Sequence, residues 1–210
     1  MITSIVLAGG KSTRLGREKA LETIVGESLI ERVIRRVAPL STEVIVVMRP
    51  EQPRFPLPAQ PMVKTVTDLY PGKGSLGGIY SGLYNSSSFH NLVVACDMPF
   101  LNMALLRYLI ELCSNFDVVI PTVGGNLEPL HSVYSKNCLA PIEALLKQDK
   151  LRIVDFFPSV RVRYVDEVEV DRFDPQHLSF FNINTEEDLA KARLRAETEA
   201  NLTQKEVKRL

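Results

Sequence analysis

Net charge is absent from this chain: 25 lysines and arginines stand against 25 aspartates and glutamates in 210 residues. No global field then draws it to nucleic acid or to an anionic membrane, and any basic function has to be local. Cysteine is scarce. Cys96, Cys113 and Cys138 are odd in number, widely spaced and without a C-x-x-C pair, which argues against a disulfide framework and a cysteine zinc site and fits a reducing compartment. No apolar run approaches the roughly 18 residues of a membrane span. Met1-Ile-Thr-Ser-Ile has no basic leader, so the expectation is a cytoplasmic protein whose Asn201-Leu-Thr203 sequon goes unused. Two phosphate-loop fingerprints are missing as well. The stretch Gly9-Gly10-Lys11-Ser12-Thr13-Arg14-Leu15-Gly16 lacks the spacing and closing Gly-Lys-Ser/Thr of a Walker A loop, and it fails the G-x-G-x-x-G dinucleotide pattern.

What the chain has is strands and helices in alternation. Apolar runs at residues 4–7, 44–48, 92–95 and 118–121 and a strand-like segment at 63–67 predict strands, and helical spacing over 29–37, about 76–84 and 104–113 predicts the helices between them. Continuous apolar strands imply a three-layer α/β fold, a mostly parallel sheet with helices on both faces and ligands at the strands' carboxyl ends. The length suits one domain over residues 1–197, followed by a charged tail at 198–210 that is helical or disordered. Prolines at 50, 53, 56, 58 and 61 mark an extended surface connection. Further on, Gly124-Gly125 predicts a turn between antiparallel strands at 121–123 and 131–134, a modified sheet edge covering the cleft. A helix at 141–147, a strand near 161–165 and a strand-like run at 180–184 follow. Thr185 and Asp188, at capping-box spacing, open a last helix.

The candidate chemistry falls at the strand ends. Gly9 and Gly10 let backbone N–H groups approach an anion, and Arg14 and Lys19 supply fixed positive charge beside them. Asp97 ends the 92–96 strand, where a hard carboxylate oxygen suits Mg²⁺; the plainer alternative is a helix N-cap, for which Asn102 is better placed. Asp68 ends another strand and either binds nucleotide hydroxyls or metal-bound water, or is an ordinary turn aspartate. Gly72, Gly74, Gly77 and Gly78 form a second pliant surface, with Gly77-Gly78 letting a helix start approach a ligand. Asn182 and Asn184 alternate in a strand-like run and face one way, to hold a polar ligand or to satisfy nearby turns. His131 reads as packed or solvated rather than catalytic, and Cys96 as a small buried residue with no histidine partner.

Taken together, Leu7-Ala8-Gly9-Gly10-Lys11-Ser12-x-Arg14-Leu15-Gly16 with Lys19, Asp68 before Gly74-x-x-Gly77-Gly78, Cys96-Asp97-Met98-Pro99-Phe100 and Phe181-Asn182-Ile183-Asn184-Thr185 resemble the molybdenum cofactor guanylyltransferases, MobA-like nucleotidyltransferases. The resemblance runs in order over nearly the whole chain apart from the tail. It implies a Rossmann-like, glycosyltransferase-A-like fold and transfer of GMP from GTP to molybdenum-molybdopterin with release of pyrophosphate. Leu7, Ala8, Gly9 and Gly10 would hold GTP, joined by Asp68 and Gly78. Lys19 and Arg14 would lie on the triphosphate, Asp97 on GTP and the catalytic Mg²⁺, and Asn182 and Asn184 toward molybdopterin. A docking face for a molybdoenzyme or its chaperone also follows from it, whereas nucleic acid and membrane do not. The chain departs from the pattern in two places: Val46-Val47-Met48-Arg49 has no asparagine after the second strand, and Glu18 replaces a common aspartate. Three alternatives stay open: cytidylyl transfer to molybdopterin, a sugar-phosphate acceptor, and a non-catalytic nucleotide-binding subunit.

Overall fold

Six residues covered on both faces, Ile2–Leu7, form β1, and the computed structural model builds the fold around them. It describes residues 1–10, 18–52, 57 and 62–207, with side chains through 198. A two-stranded ribbon, β2 (Thr23–Ile24) and β3 (Glu27–Ser28), leads into α1 (Leu29–Val37). That helix starts where it does because Ser28 and Glu31 form a capping box, the Glu31 carboxylate accepting from Ser28 N at 2.9 Å. Then come β4 (Glu43–Met48), β5 (Val63–Thr67), α2 (Gly74–Asn85), β6 (His90–Ala95) and α3 (Met103–Glu111). The rest comprises β7 (Val118–Val123), β8 (Asn126–Leu127), β9 (His131–Ser135), α4 (Leu139–Lys147), β10 (Val162–Val165), α5 (Glu167–Asp171) and α6 (Glu186–Val207). Asn102 caps α3, its side-chain oxygen accepting from Ala104 N and Leu105 N, so Asp97 is not needed as a cap. Asp188 and Thr185 bond reciprocally at the start of α6, which runs unbroken past residue 197.

The strands join in the order β10-β7-β9-β6-β1-β4-β5, with β8 hung on β7. Pairs β1/β4, β1/β6, β4/β5 and β10/β7 are parallel, while β9 runs antiparallel to both β6 and β7. Alternation within β1 serves two faces: Val6 packs with Ile30, Val33 and Ile34 of α1 and Leu105, Leu106 and Leu109 of α3, whereas Ile5 packs with Leu76, Ile79 and Leu83 of α2. A third cluster joins Ile24, Leu29 and Phe100 to Ile183, Leu189 and Ala192, seating α6 against the ribbon.

Two expectations fail. The Gly124-Gly125 turn joins β7 to the short β8, not to β9, and β9 is an interior strand with every residue buried. It therefore forms no edge over the cleft. A turn signal identifies only the next chain segment, and a two-residue strand carries too little pattern to be seen. Nor are residues 180–184 a strand. Leu178–Phe180 is a 3₁₀ turn, and Ile183 makes one isolated bond, its N–H donating to Asp97 O at 3.0 Å, because its side chain is committed to the α6 cluster.

Helix α2 carries four glycines, a composition that opposes helix formation. Close packing on β1 explains it: a Cβ at Gly82 would lie 2.9 Å from Ile5 Cδ1 and closer still to Cγ2. Gly82→Ala is therefore expected to destabilise the fold by about 2 kcal/mol, overpacking outweighing the propensity gain. Urea unfolding midpoints check this; a stabilised variant would count against the packing argument.

Candidate active site

Parallel β1, β4, β5 and β6 end at one edge of the sheet, and the segments that follow them gather there. Arg49 follows β4, Asp68 follows β5, and Cys96-Asp97 follows β6, with Ala8-Gly9-Gly10 following β1. From β1 the chain passes to β4 and β5 on one side and then crosses back to β6 on the other, which makes this edge a topological switch point where open α/β sheets bind ligands.

A cleft of about 360 Å³ opens there. It is lined by Leu7, Gly9, Gly10, Val47 and Arg49 from the ends of β1 and β4 and by Asp68, Gly72, Gly74, Ser75 and Gly78 from the end of β5 through the first turns of α2. Of the residues singled out in the sequence, Leu7, Gly9, Gly10, Asp68 and Gly78 thus share one wall system. The α2 backbone approaches so closely at Gly78 that a Cβ would stand 3.2 Å from Leu7 Cδ2. Asp68 Oδ1 accepts from Tyr70 N at 3.0 Å and from the Ser81 hydroxyl at 2.8 Å, so the residue fixes its own turn while facing the cleft. Ala8 is buried and contributes a carbonyl, which accepts from Gln52 Nε2 at 3.0 Å.

Beside the cleft, the Lys19 ammonium lies 2.5 Å from Asp97 Oδ2 and 3.0 Å from Asn184 Oδ1. The other Asp97 oxygen, Oδ1, is buried with no hydrogen-bond partner among the described residues. A buried carboxylate oxygen left unmatched is costly unless something occupies it. Mg²⁺ takes one or two carboxylates together with substrate phosphates, so a lone aspartate with an open hard oxygen fits that ion, and the described residues hold no cluster of three metal-ligating side chains suited to a closed protein cage. Asn182 and Asn184 part company. Asn182 Nδ2 donates to Phe180 O at 3.0 Å, satisfying its own turn, because the segment is not the strand that would have aligned the two amides. Arg14 lies outside the described residues.

Cys96 is buried under Asp97, and burial first, then the neighbouring carboxylate, pushes its thiol well above the ordinary range; it is not a thiolate nucleophile. His131 is wholly buried against Phe180, ring centroids 4.6 Å apart, and neither ring nitrogen has a partner among the described residues. Burial lowers its pKa to about 4, with Asp174 opposing. The folded pKa lies below the unfolded one, so the unfolded chain takes the proton first. Stability is then full above about pH 6.5 and falls by about 3 kcal/mol on acidification to about pH 4. His131→Leu should lack that part of the fall, read as the difference between the two proteins' urea midpoints at pH 7 and 4.5; identical profiles would refute it.

Sequence reasoning missed Gln52 and Ser75. Gln52 is 7% exposed within the proline-rich connection, a composition that pointed to the surface. Ser75 sits at the start of α2 between the glycines that drew notice.

Comparison with known proteins agrees with this architecture. Residues 4–159 match the family model described as MobA-like NTP transferase domain. A probable molybdenum cofactor guanylyltransferase of Pelotomaculum thermopropionicum is 41% identical over 93% of each chain. A molybdenum cofactor guanylyltransferase of Desulfosudis oleivorans is 36% identical, covering 91% of this chain and 94% of its own. Among solved structures, molybdopterin-guanine dinucleotide biosynthesis protein A from Archaeoglobus fulgidus superposes with a TM-score of 0.80 at 29% identity, covering 93% of this chain and 99% of that one. A 2-C-methyl-D-erythritol 4-phosphate cytidylyltransferase from Thermus thermophilus shares the fold, with a TM-score of 0.68 at 18% identity over 94% of this chain and all of that one. Matched along most of its length by that family model and by these relatives, the chain belongs to the MobA-like NTP transferases and is a nucleotidyltransferase.

Proposed function

We propose that the chain transfers GMP from GTP to the terminal phosphate of molybdenum-molybdopterin and releases pyrophosphate. The observation that carries this reading is the Lys19–Asp97 pair, with its open carboxylate oxygen, standing beside a glycine-walled cleft at the sheet's switch point. The names of the relatives supply the acceptor.

In this reading a phosphate oxygen of the acceptor attacks the α-phosphorus of GTP in line, the new P–O bond forms, and the bond to the β-phosphate oxygen breaks with its electrons leaving on pyrophosphate. No protein nucleophile is required, which suits a site whose cysteine is buried and protonated. Positioning and charge neutralisation are what the protein has to supply. Gly9 and Gly10 offer close backbone approach to phosphate, and Asp68 and Gly78 line the same cleft beside the nucleotide; Lys19 and, as the family resemblance implies, Arg14 neutralise charge on the triphosphate. Asn184, already on the Lys19 ammonium, marks the acceptor side. Asp97 Oδ1 would hold Mg²⁺, which supplies charge neutralisation at the phosphates when bound.

The test is pyrophosphate release by the purified protein with Mg²⁺ and molybdenum-loaded molybdopterin, given GTP, CTP, ATP or UTP separately. Release with GTP alone is expected. Release with CTP would transfer the protein to the sister activity, and silence with all four from folded protein would overturn the reading.

A further inference from the structure

Gln52 ties together three stretches of chain that meet at the reactive edge. Its Nε2 donates to Ala8 O at 3.0 Å and to Glu18 Oε2 at 2.9 Å, and its Oε1 accepts from Arg49 N at 3.2 Å. Arg49 Nη2 donates to the other Glu18 oxygen at 2.7 Å, closing a ring of contacts among Arg49, Gln52 and Glu18. The next residue after Glu18 is Lys19, whose ammonium reaches Asp97 and Asn184. A lysine head on a four-carbon stem is only as well placed as the backbone that carries it. The 3₁₀ turn that Lys19 begins, Lys19–Leu21, has no side-chain cap of its own.

We infer that Gln52, with Arg49 and Glu18, is a positioning clamp that fixes the Lys19 backbone against the end of β1 and so sets where the ammonium stands. Gln52 touches neither Lys19 Nζ nor Asp97, so its action passes through Glu18. Burial makes the arrangement costly to leave half-made: the amide is nearly enclosed, and each hydrogen of Nε2 has its acceptor. The effect on turnover rests on the proposed transfer reaction; the effect on the backbone does not.

Gln52→Met keeps the volume and removes all three hydrogen bonds. In the full chain it should lower kcat for pyrophosphate release about tenfold with KM for GTP changed less than threefold. In a Lys19→Ala background the same change should alter kcat less than twofold. Additive losses, or an undiminished rate in the single variant, would overturn the clamp. A second readout stands apart from turnover. In nucleotide-free protein, amide hydrogen exchange at residues 19–22 should quicken about tenfold in Gln52→Met, and equally in Glu18→Ala, with no further gain when the two are combined and Tm within about 3 °C. Unchanged exchange overturns the clamp. Faster exchange together with no pyrophosphate release from the unaltered protein keeps the clamp and removes the transfer reading.

Discussion

Asp97→Ala is expected to reduce nucleotidyl transfer by about 10³-fold or more, roughly 4 kcal/mol of transition-state stabilisation, while leaving the fold intact. Two losses coincide in that one change. The open Oδ1 is the oxygen suited to Mg²⁺, and Oδ2 is the acceptor that holds the Lys19 ammonium at 2.5 Å. Structural damage should be slight, because the contact that anchors residue 97 to the late segment is made by its backbone carbonyl, which accepts from Ile183 N whatever the side chain. Asp97→Asn separates the two roles: the amide oxygen can still accept from Lys19, but the negative charge is gone. Its rate should stay close to that of the alanine variant if charge on the metal side dominates. The assay is single-turnover pyrophosphate release at several Mg²⁺ concentrations, with urea unfolding alongside. Wild-type rates in Asp97→Ala would remove this carboxylate from the site.

Asp117→Ala should cost about 4 kcal/mol of stability and hardly touch the chemistry, since the residue lies away from the cleft at the other end of the sheet's strands. Asp117 is 5% exposed and precedes β7. Its Oδ1 accepts from the Ser135 hydroxyl at 3.0 Å and Asn137 Nδ2 at 2.8 Å; its Oδ2 accepts from Arg161 N at 3.0 Å and Arg161 Nε at 3.2 Å. One carboxylate therefore pins β7, the end of β9 and the approach to β10. Burial alone would push its pKa up, but the Arg161, Asn137 and Ser135 contacts outweigh that and hold it well below the usual carboxylate range. Because the folded value is the lower one, the contribution is present above about pH 4 and is lost as the pH falls below it. Arg161 itself is largely exposed, so its share is screened and the hydrogen bonds carry most of the effect. Asp117→Asn should recover little, since an amide presents two N–H hydrogens to a ring of donors. A midpoint shift under 1 kcal/mol by urea titration would show the cluster to be dispensable. The stability of the unaltered protein should accordingly fall over two ranges of pH, through His131 from about pH 6.5 toward pH 4 and through Asp117 below about pH 4.

Local patterns revealed the parts of this molecule that local forces decide. Strands β1, β4 and β6 lie inside the sheet and read as largely apolar runs, and the edge strand β5 reads as a Val/Thr-rich segment closed by a turn, so Asp97 and Asp68 could be placed at carboxyl ends from sequence alone. Capping at Asn102 and at Thr185 was legible for the same reason, each depending on residues within one turn. Pairing over long distances was not. The antiparallel relation of β9 to β7 was legible, but the other pairing of β9, with β6 about 40 residues back along the chain, is announced by no feature of His131–Ser135. Asn182 and Asn184 illustrate a subtler failure: alternation implies a shared face only inside a strand, and the Phe180–Asn184 segment lacks the neighbour that would make it one. Gln52 was hidden by its surroundings, because prolines signal what a backbone avoids and say nothing of where one amide will be buried.

The hydrogen bond from Ile183 to the Asp97 carbonyl, together with the Asn184 amide on Lys19, has a consequence for the order in which the protein is made. Synthesis delivers β1 first, yet β1 lies between β4 and β6 and can only be completed as those strands emerge. The sheet's reactive edge then waits longer still, for residues 183 and 184, near the start of the final helix. A nascent chain still tethered to the ribosome can thus own most of a sheet while Lys19 has neither the Asn184 amide nor a settled Asp97 beside it. Competence for nucleotidyl transfer therefore arrives only after residues 183 and 184 have left the ribosome, so translation itself serves as the first checkpoint on activity.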